Sequence, residues 1–199
     1  LGIDMMSMSA HKIYGPKGTG ALYIRKGVVI PSFISGGAQE NKRRAGTENM
    51  AGIAGFGKAA ELAGANMEEH SKRLSTLRDY FAEEVTSRIP EVGINGSMEY
   101  RLPGNINFIF NYIEGESLLL LLDAKGIAAS TGSACSSASL TPSHVLKALK
   151  LPYEQIHSSI RFSIGDFTTK EDIDYVVEEL IEIVEKLRAI SPIYKAKKG

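Results

Sequence analysis

The sequence predicts an α/β protein, in which short strands alternate with amphipathic helices. Apolar residues recur every three or four positions across residues 67–85 and again across 173–187, which is the period of a helix with one buried face. Short apolar runs at 105–110 and 159–164 lie between these helices and are flanked by Gly, Asn or Ser residues, as is typical of strands. This alternation indicates an α/β architecture.

The first third of the chain reads as two strands followed by a loop and a helix. One strand ends near Ser9, a glycine-rich turn occupies 15–20, and a second strand covers 21–25. After a loop rich in Gly, Asn and Arg, a helix is predicted from about 48 to 63, with Thr47 as its N-cap. The predicted apolar face of this helix consists of Ile53, Phe56 and Ala60.

The middle of the chain continues with strands and helices in turn. Pro90 ends the long helix, and Gly126 is the predicted C-cap of a short helix over 116–124. A short strand at 127–129 then leads into a loop of small residues at 130–139.

Two later helices carry N-terminal signals. Thr141 is the predicted N-cap of one, with Pro142 at its first position, and Thr168 with Glu171 forms the predicted capping box of the other. The basic tail, 189–199, is expected to fray. The residues of the last long helix predicted to face inward are Ile173, Val177, Leu180, Val184 and Leu187.

Composition excludes several functional classes. The 199 residues include 23 Lys and Arg and 23 Asp and Glu, so the formal net charge is zero and the chain lacks the basic field of a non-specific nucleic-acid binder. The longest apolar run, 118–122, is far shorter than the ~20 residues that span a bilayer. A single cysteine excludes an internal disulfide and fits a cytoplasmic protein. Because the sequence starts at Leu1 in a strand-like run, we expect it to be a piece of a longer chain.

The first candidate for chemistry is Ser9-Ala10-His11-Lys12, where a strand gives way to a glycine-rich turn. A lysine that forms a Schiff base must lose its proton, which a nearby cation or a histidine can favour, and the Ser9 hydroxyl can bind a phosphate. The alternative is a surface lysine after a strand. A nucleotide-binding phosphate loop is not predicted, because Lys17 precedes Gly18 instead of closing a Gly-Lys-Ser/Thr sequence.

The second candidate is Cys135, in a loop of Gly, Ser and Ala residues. A lone cysteine is often a small buried hydrophobic residue, but this one has no bulky apolar neighbour within four positions on either side. A loop of small residues moves easily, which suits a nucleophile that must travel to its target. From the residues alone, both interpretations stay open.

Two further candidates suit anions. Arg161 lies in an apolar strand, where it needs a carboxylate from the protein or from a ligand. Thr47 lies at a predicted helix N-terminus, where backbone amides attract phosphate, although plain capping explains it equally well. The four histidines have no metal-ligand spacing with one another or with Cys135, so no zinc site is predicted.

Four stretches together resemble the pyridoxal-phosphate-dependent cysteine desulfurases of aminotransferase class V. They are SAHKIYGPKG at 9–18, QE and RAGTEN within 39–49, GSACSS at 132–137 and HSSIRFS at 157–163. Their order and spacing fit across essentially the whole chain. The resemblance therefore implies an α/β homodimer with the aspartate-aminotransferase-type fold (PLP fold type I).

The resemblance also implies how the chain divides. Residues 1–63 would be the end of the large cofactor domain, 64–90 a connecting helix, and 91–199 the small domain with the catalytic-cysteine loop. Family chains are roughly twice as long, and their N-terminal half carries the histidine stacked on the cofactor, the aspartate that pairs with the pyridine nitrogen and further phosphate ligands. The sequence is thus expected to be the C-terminal half of such a protein.

The roles that the resemblance implies concern seven residues. Lys12 would bind the pyridoxal phosphate covalently and move protons, and Ser9, Ala10 and His11 would contact the cofactor. His11 would also be a catalytic residue, because a histidine beside the lysine can exchange protons with it. Thr47 would reach the phosphate in the partner subunit's site. The remaining two are Arg161, which would hold the substrate carboxylate, and Cys135, which would attack the sulfur of L-cysteine and leave alanine and an enzyme persulfide.

Three positions depart from the family pattern. Ala38 stands where a third glycine is usual, Asn41 where arginine is common, and Asp166 where arginine often follows Gly165. The expected partners are L-cysteine, a second subunit and an iron–sulfur scaffold or other sulfur acceptor. The alternatives are a selenocysteine lyase or another class V transferase, or a non-catalytic module for dimerisation or partner docking.

Overall fold

Residues 2–131 and 143–198 are described by the computed structural model, and they divide into two units. The first unit extends to Met67 and the second begins at Glu68. Among the described residues, no helix combines the length and apolar character needed to cross a membrane.

The first unit is a two-stranded ribbon followed by a turn and a helix. Strands β1 (Met5–Ser9) and β2 (Gly20–Ile24) pair antiparallel, with Met5 opposite Ile24 and Ser9 opposite Gly20. A 3-10 helix, Ala10–Ile13, follows β1 directly. The later elements of this unit are the turn α1 (Gln39–Lys42) and the helix α2 (Met50–Ala65).

The N-cap of α2 is Asn49, so the prediction of Thr47 as its cap was wrong. The Asn49 side-chain oxygen accepts a hydrogen bond of 3.1 Å from the Gly52 amide, which satisfies one of the free amides of the first turn. The helix consequently begins two residues later than predicted. Its predicted apolar face is not buried, because Ile53 is 43% exposed and Ala60 is also exposed.

The second unit is an antiparallel three-stranded sheet with helices. The strand order is β3-β4-β5. Its elements in chain order are α3 (Met67–Arg88), β3 (Val92–Ile94), β4 (Asn105–Phe110), α4 (Gly115–Asp123), α5 (His144–Ala148), α6 (Tyr153–His157), β5 (Ser159–Ser163), α7 (Lys170–Ile190) and α8 (Pro192–Lys198).

The core of the second unit lies on one face of this sheet. Phe108 is fully buried and meets Phe81 of α3 edge-to-face, with ring centroids 5.2 Å apart. The predicted strands at 105–110 and 159–164 are confirmed, as is the inward face of α7. The alternate residues of β4 and β5, which point to the other face of the sheet, are mostly polar.

The predicted N-terminal signal of α7 was wrong by one residue. The capping box consists of Thr169 and Asp172. The Thr168 hydroxyl instead accepts a hydrogen bond of 3.1 Å from the Gly165 amide, so it is not available to cap the helix. Thr141 and Pro142 lie outside the described residues, and α5 begins at His144.

Two other predictions of local structure were wrong. Residues 127–129 form no strand, and only the next residue, Ser130, makes an isolated bridge, which pairs it with Arg161. The tail forms α8 instead of fraying, because the Tyr194 ring packs 5.7 Å from that of Tyr112 and Lys197 pairs with Glu91. The short strand β3 was not predicted.

A polar cluster between α3 and α7 gives the second unit an acid-sensitive contribution to stability. The Lys170 ammonium lies 2.8 Å from the Asp174 carboxylate, and the Tyr80 hydroxyl donates to that carboxylate at 2.5 Å. Both interactions hold the pKa of Asp174 below its ordinary value, Lys170 most strongly. Because the folded pKa is the lower one, the contribution is present above the unfolded pKa of about 3.9 and is lost as the pH falls through the folded value.

We therefore expect Asp174→Asn to lower the urea midpoint of unfolding at neutral pH and to lose this effect in acid. Circular dichroism of both proteins in urea, at neutral pH and at a pH below the folded pKa of Asp174, measures the difference in midpoint. The exposed Asp123→Asn serves as the matched control for removing one carboxylate. An equal difference between Asp174→Asn and the parent at both pH values would contradict the assigned cause.

Candidate functional site

The first group of candidate residues lies where β1 ends. Ala10 anchors this turn, because its side chain is fully buried, its amide donates to Thr19 O at 3.0 Å and its carbonyl accepts from the Gly15 amide at 2.9 Å. A Cβ at Gly15 would stand 3.0 Å from both the Cβ and the carbonyl oxygen of Ala10, so the close return of the chain favours glycine. Ser9, His11 and Lys12 are exposed around the buried alanine.

A cavity of about 1210 Å³ opens beside this turn, within the first unit. Ser9 and Lys12 line it, as do the cations Arg43 and Arg44 and a single carboxylate, Glu40. Much of the remaining wall is apolar, from Met8, Leu22, Phe33, Ile53 and Phe56. His11 and Thr47 do not line the cavity.

The chemistry of this wall fits pyridoxal phosphate. A hydroxyl at Ser9 and the excess of positive charge suit a phosphate, apolar side chains suit a pyridine ring, and Lys12 supplies the amine that an aldehyde requires. The predicted cofactor-binding residues Ser9 and Lys12 are therefore brought to one cavity. Thr47 and His11 remain predictions from the resemblance.

The second site lies on the polar face of the sheet in the second unit. Arg161 of β5 stands opposite Asn107 of β4, and its backbone exchanges hydrogen bonds with Ser130 at 2.7 and 3.1 Å. Among the described residues, the buried Arg161 Nε has no hydrogen-bond partner and no carboxylate forms an ion pair with the side chain. A cavity of about 430 Å³ adjoins it.

A second arginine of this cavity differs from Arg161 in its contacts. Arg101 donates to Ser97 O at 3.0 Å, to Asn105 Oδ1 at 3.2 Å and to Asn95 O. Burial lowers the pKa of Arg101, and the charge of Arg78 lowers it further. Arg101 thus uses its donors to hold the loop before β4, whereas no described residue accepts a hydrogen bond from the Arg161 side chain.

The structure accommodates the three departures from the family pattern. Ala38 has a φ of −87°, so no glycine is needed there, and Asn41 has a φ of 54°, a conformation that asparagine tolerates well. The Asp166 carboxylate lies 2.5 Å from His70 Nδ1 and 3.8 Å from the Arg73 guanidinium. A carboxylate at position 166 therefore has a histidine and an arginine of α3 as neighbours.

Cys135 lies outside the described residues. Within the part of the chain that the structure describes, no group of three or more His, Cys, Asp and Glu residues could hold a metal ion.

Sequence reasoning missed the amides of the second site. Asn95 is only 4% exposed, and its side chain bonds to Asn107 and Ser159. The available signal was Asn105-Ile106-Asn107, since two asparagines two positions apart share one face of a strand.

The family model for aminotransferase class V matches residues 1–176. The chain belongs to this family. Curated relatives include the cysteine desulfurase IscS of Dictyoglomus turgidum, 60% identical over 96% of this chain, and that of Methanosarcina thermophila, 58% identical over 97%. These matches cover 49% and 48% of the two relatives, so the chain spans about half the length of the curated relatives it matches.

Two solved structures of NifS-like proteins are similar to this chain. A NifS-like protein matches 94% of this chain with a TM-score of 0.83 at 35% identity, and a NifS-like protein from Rickettsia africae matches 92% with a TM-score of 0.80 at 31% identity. The matches cover 47% and 48% of those chains. The predicted α/β fold, that of the C-terminal part of a PLP fold type I protein, is confirmed.

Proposed function

We propose that this chain is the C-terminal half of a pyridoxal-phosphate-dependent cysteine desulfurase, which converts L-cysteine to L-alanine and an enzyme persulfide. The observation that carries the proposal is the identity of 60% to a cysteine desulfurase along nearly the whole chain. Two features of the structure support it: Lys12 lines a cavity suited to the cofactor, and Arg161 has no protein carboxylate among the described residues.

Each residue then has a defined task. Pyridoxal phosphate, when bound, supplies an electron sink for the substrate carbon. Ser9 and Lys12 would hold it, with His11 beside them and Thr47 reaching the phosphate in a second subunit. Arg161 binds the substrate carboxylate, and Lys12 moves protons at the substrate carbons.

In the sulfur-transfer step, Cys135 is the nucleophile. Its thiolate forms a new S–S bond with the substrate sulfur while the carbon–sulfur bond of the substrate breaks. The electron pair of that bond stays with the substrate carbon, which takes a proton to become the methyl group of alanine. The persulfide then passes to an iron–sulfur scaffold or another acceptor protein, in a reducing compartment such as the cytoplasm.

The second candidate is a non-catalytic module for dimerisation or partner docking. The observation that favours it is the coverage, because about half of each relative has no counterpart in this chain. A selenocysteine lyase or another class V transferase is the alternative within the enzyme class.

The test combines this chain with the N-terminal half of a relative. The chain is produced together with the N-terminal half of the Dictyoglomus turgidum relative, and the complex is incubated with pyridoxal phosphate and L-cysteine. We expect alanine to form and the peptide that contains Cys135 to gain one sulfur atom by mass spectrometry. Alanine without added sulfur on Cys135 would contradict the persulfide, turnover of selenocysteine alone would indicate the lyase, and a stable complex without turnover would favour the module.

A further inference from the structure

We propose that Asn107 is a second binding residue for the substrate carboxylate, oriented by Asn95 and Ser159 so that its amide group donates beside Arg161. This inference rests on the proposed function, since it concerns the amino-acid substrate of the same site. It is carried by a chain of hydrogen bonds on the polar face of the sheet, all within the second unit.

The chain begins at Ser159, whose side chain is fully buried. Its hydroxyl donates to Gln155 O at 2.6 Å. A hydroxyl has one hydrogen, so the lone pairs of Ser159 Oγ must accept from any other neighbour. The atom of Asn95 that lies 3.0 Å from Ser159 Oγ is therefore its amide nitrogen.

The orientation of Asn95 then fixes that of Asn107. The same amide nitrogen of Asn95 lies 2.5 Å from Asn107, so the Asn107 atom that faces it is the oxygen, which accepts. The amide nitrogen of Asn107 consequently points away from Asn95. Among the described residues, none accepts a hydrogen bond from it.

The surroundings suit a carboxylate. Asn107 and Arg161 stand opposite each other in the β4–β5 register, which places both side chains on one face. Among the described residues that line the adjoining cavity there are two arginines and no Asp or Glu. The Asn107 amide and the Arg161 guanidinium thus present donors and positive charge, and no described residue that lines the cavity is an anion.

A buried donor without a partner marks this place as a binding site for an anion. Arg161 Nε is buried and has no partner among the described residues. Buried polar atoms without partners are uncommon in proteins, and each calls for an explanation. A carboxylate between Arg161 and Asn107 would give Arg161 its partner.

The test titrates the 199-residue chain, without cofactor, with L-cysteine and with cysteamine, which lacks the carboxylate. We expect L-cysteine to shift the NMR signals of the Asn107 side-chain amide in a saturable way and cysteamine to leave them unchanged. Two substitutions separate the causes. Asn107→Asp keeps an oxygen for Asn95 but adds a repelling charge, and Asn107→Leu removes the donor without adding charge.

We expect both variants to weaken L-cysteine binding about 10- to 100-fold, which is the factor that a hydrogen bond to a charged group is worth. The exposed Asn66→Asp, a matched change outside the cavity, leaves binding unchanged. Unmoved Asn107 amide signals at saturation, variants that bind as well as the parent, or no binding by the parent would each overturn the inference.

A kinetic readout on the complemented enzyme distinguishes binding from a structural role. Because Asn107 holds the carboxylate equally in the ground and transition states, Asn107→Leu raises KM for L-cysteine and leaves kcat nearly unchanged. A fall in kcat alone would overturn the assignment. If the complex makes no alanine while the NMR shifts appear, the proposed function fails and the carboxylate site stands.

Discussion

Replacement of Lys12 by alanine in the complemented enzyme is expected to lower the rate of alanine formation at least about a thousandfold. Proton transfer by a positioned side chain alone contributes about 10²–10⁴-fold, and Lys12 would in addition hold the cofactor. The side chain lines the cavity of the first unit and follows the buried, hydrogen-bonded Ala10, so its backbone is well fixed.

The measurement is alanine formed per minute, together with the visible absorbance of the protein-bound Schiff base after free pyridoxal phosphate has been removed. We expect Lys12→Ala to lose both. Lys17→Ala is the matched control, because Lys17 is exposed on the same glycine-rich turn and does not line the cavity. Retention of the absorbance by Lys12→Ala would show that Lys12 is not the residue that binds the cofactor, and its loss in Lys17→Ala as well would show that the effect is not specific to Lys12.

The sequence predicted best the elements whose pattern is local. The strand at 105–110 and the inward face of α7 follow from hydrophobic periodicity alone, and the structure has both. The three residues of β3 escaped prediction because so short a strand has too few positions to show a period.

The predicted helix ends lie within one or two residues of the observed ends but do not coincide with them. In the sequence Thr168-Thr169-Lys170-Glu171-Asp172, two overlapping capping boxes are possible. The Gly165 amide donates to the hydroxyl of Thr168, and the capping box forms between Thr169 and Asp172 instead. A contact outside the helix thus decides between two local options, and sequence reasoning cannot see it.

In the candidate site, too, the sequence predicted the residues with a local signal and missed those that depend on contacts elsewhere in the chain. Lys12 and Arg161 stand out in the sequence because charged residues beside apolar runs are uncommon there. Asn107 carries no charge, and its relation to Arg161 appears only once the β4–β5 register is known. Register depends on pairing across 54 residues of chain, which no local pattern encodes.

Truncation of Phe108 to alanine is expected to lower the free energy of unfolding of the second unit by about 3–5 kcal/mol. The ring is fully buried and packs against Phe81 at 5.2 Å, Phe110 at 6.0 Å and Phe162 at 6.1 Å, so three elements lose contacts at once. Domains are stable by only about 5–15 kcal/mol, so this loss is a large share of the total.

Hydrogen exchange of the amides of β4 and β5 measures the effect, because the slowest amides of a unit exchange through its global unfolding. We expect these amides to exchange about 100- to 4000-fold faster in Phe108→Ala, since each 1.4 kcal/mol corresponds to a factor of ten. Phe33→Ala, the same change at a side chain that is 92% exposed in the first unit, is the control and leaves those rates nearly unchanged. Loss of binding in Asn107→Leu with slow exchange retained would then separate the carboxylate contact from the stability of the strand that presents it.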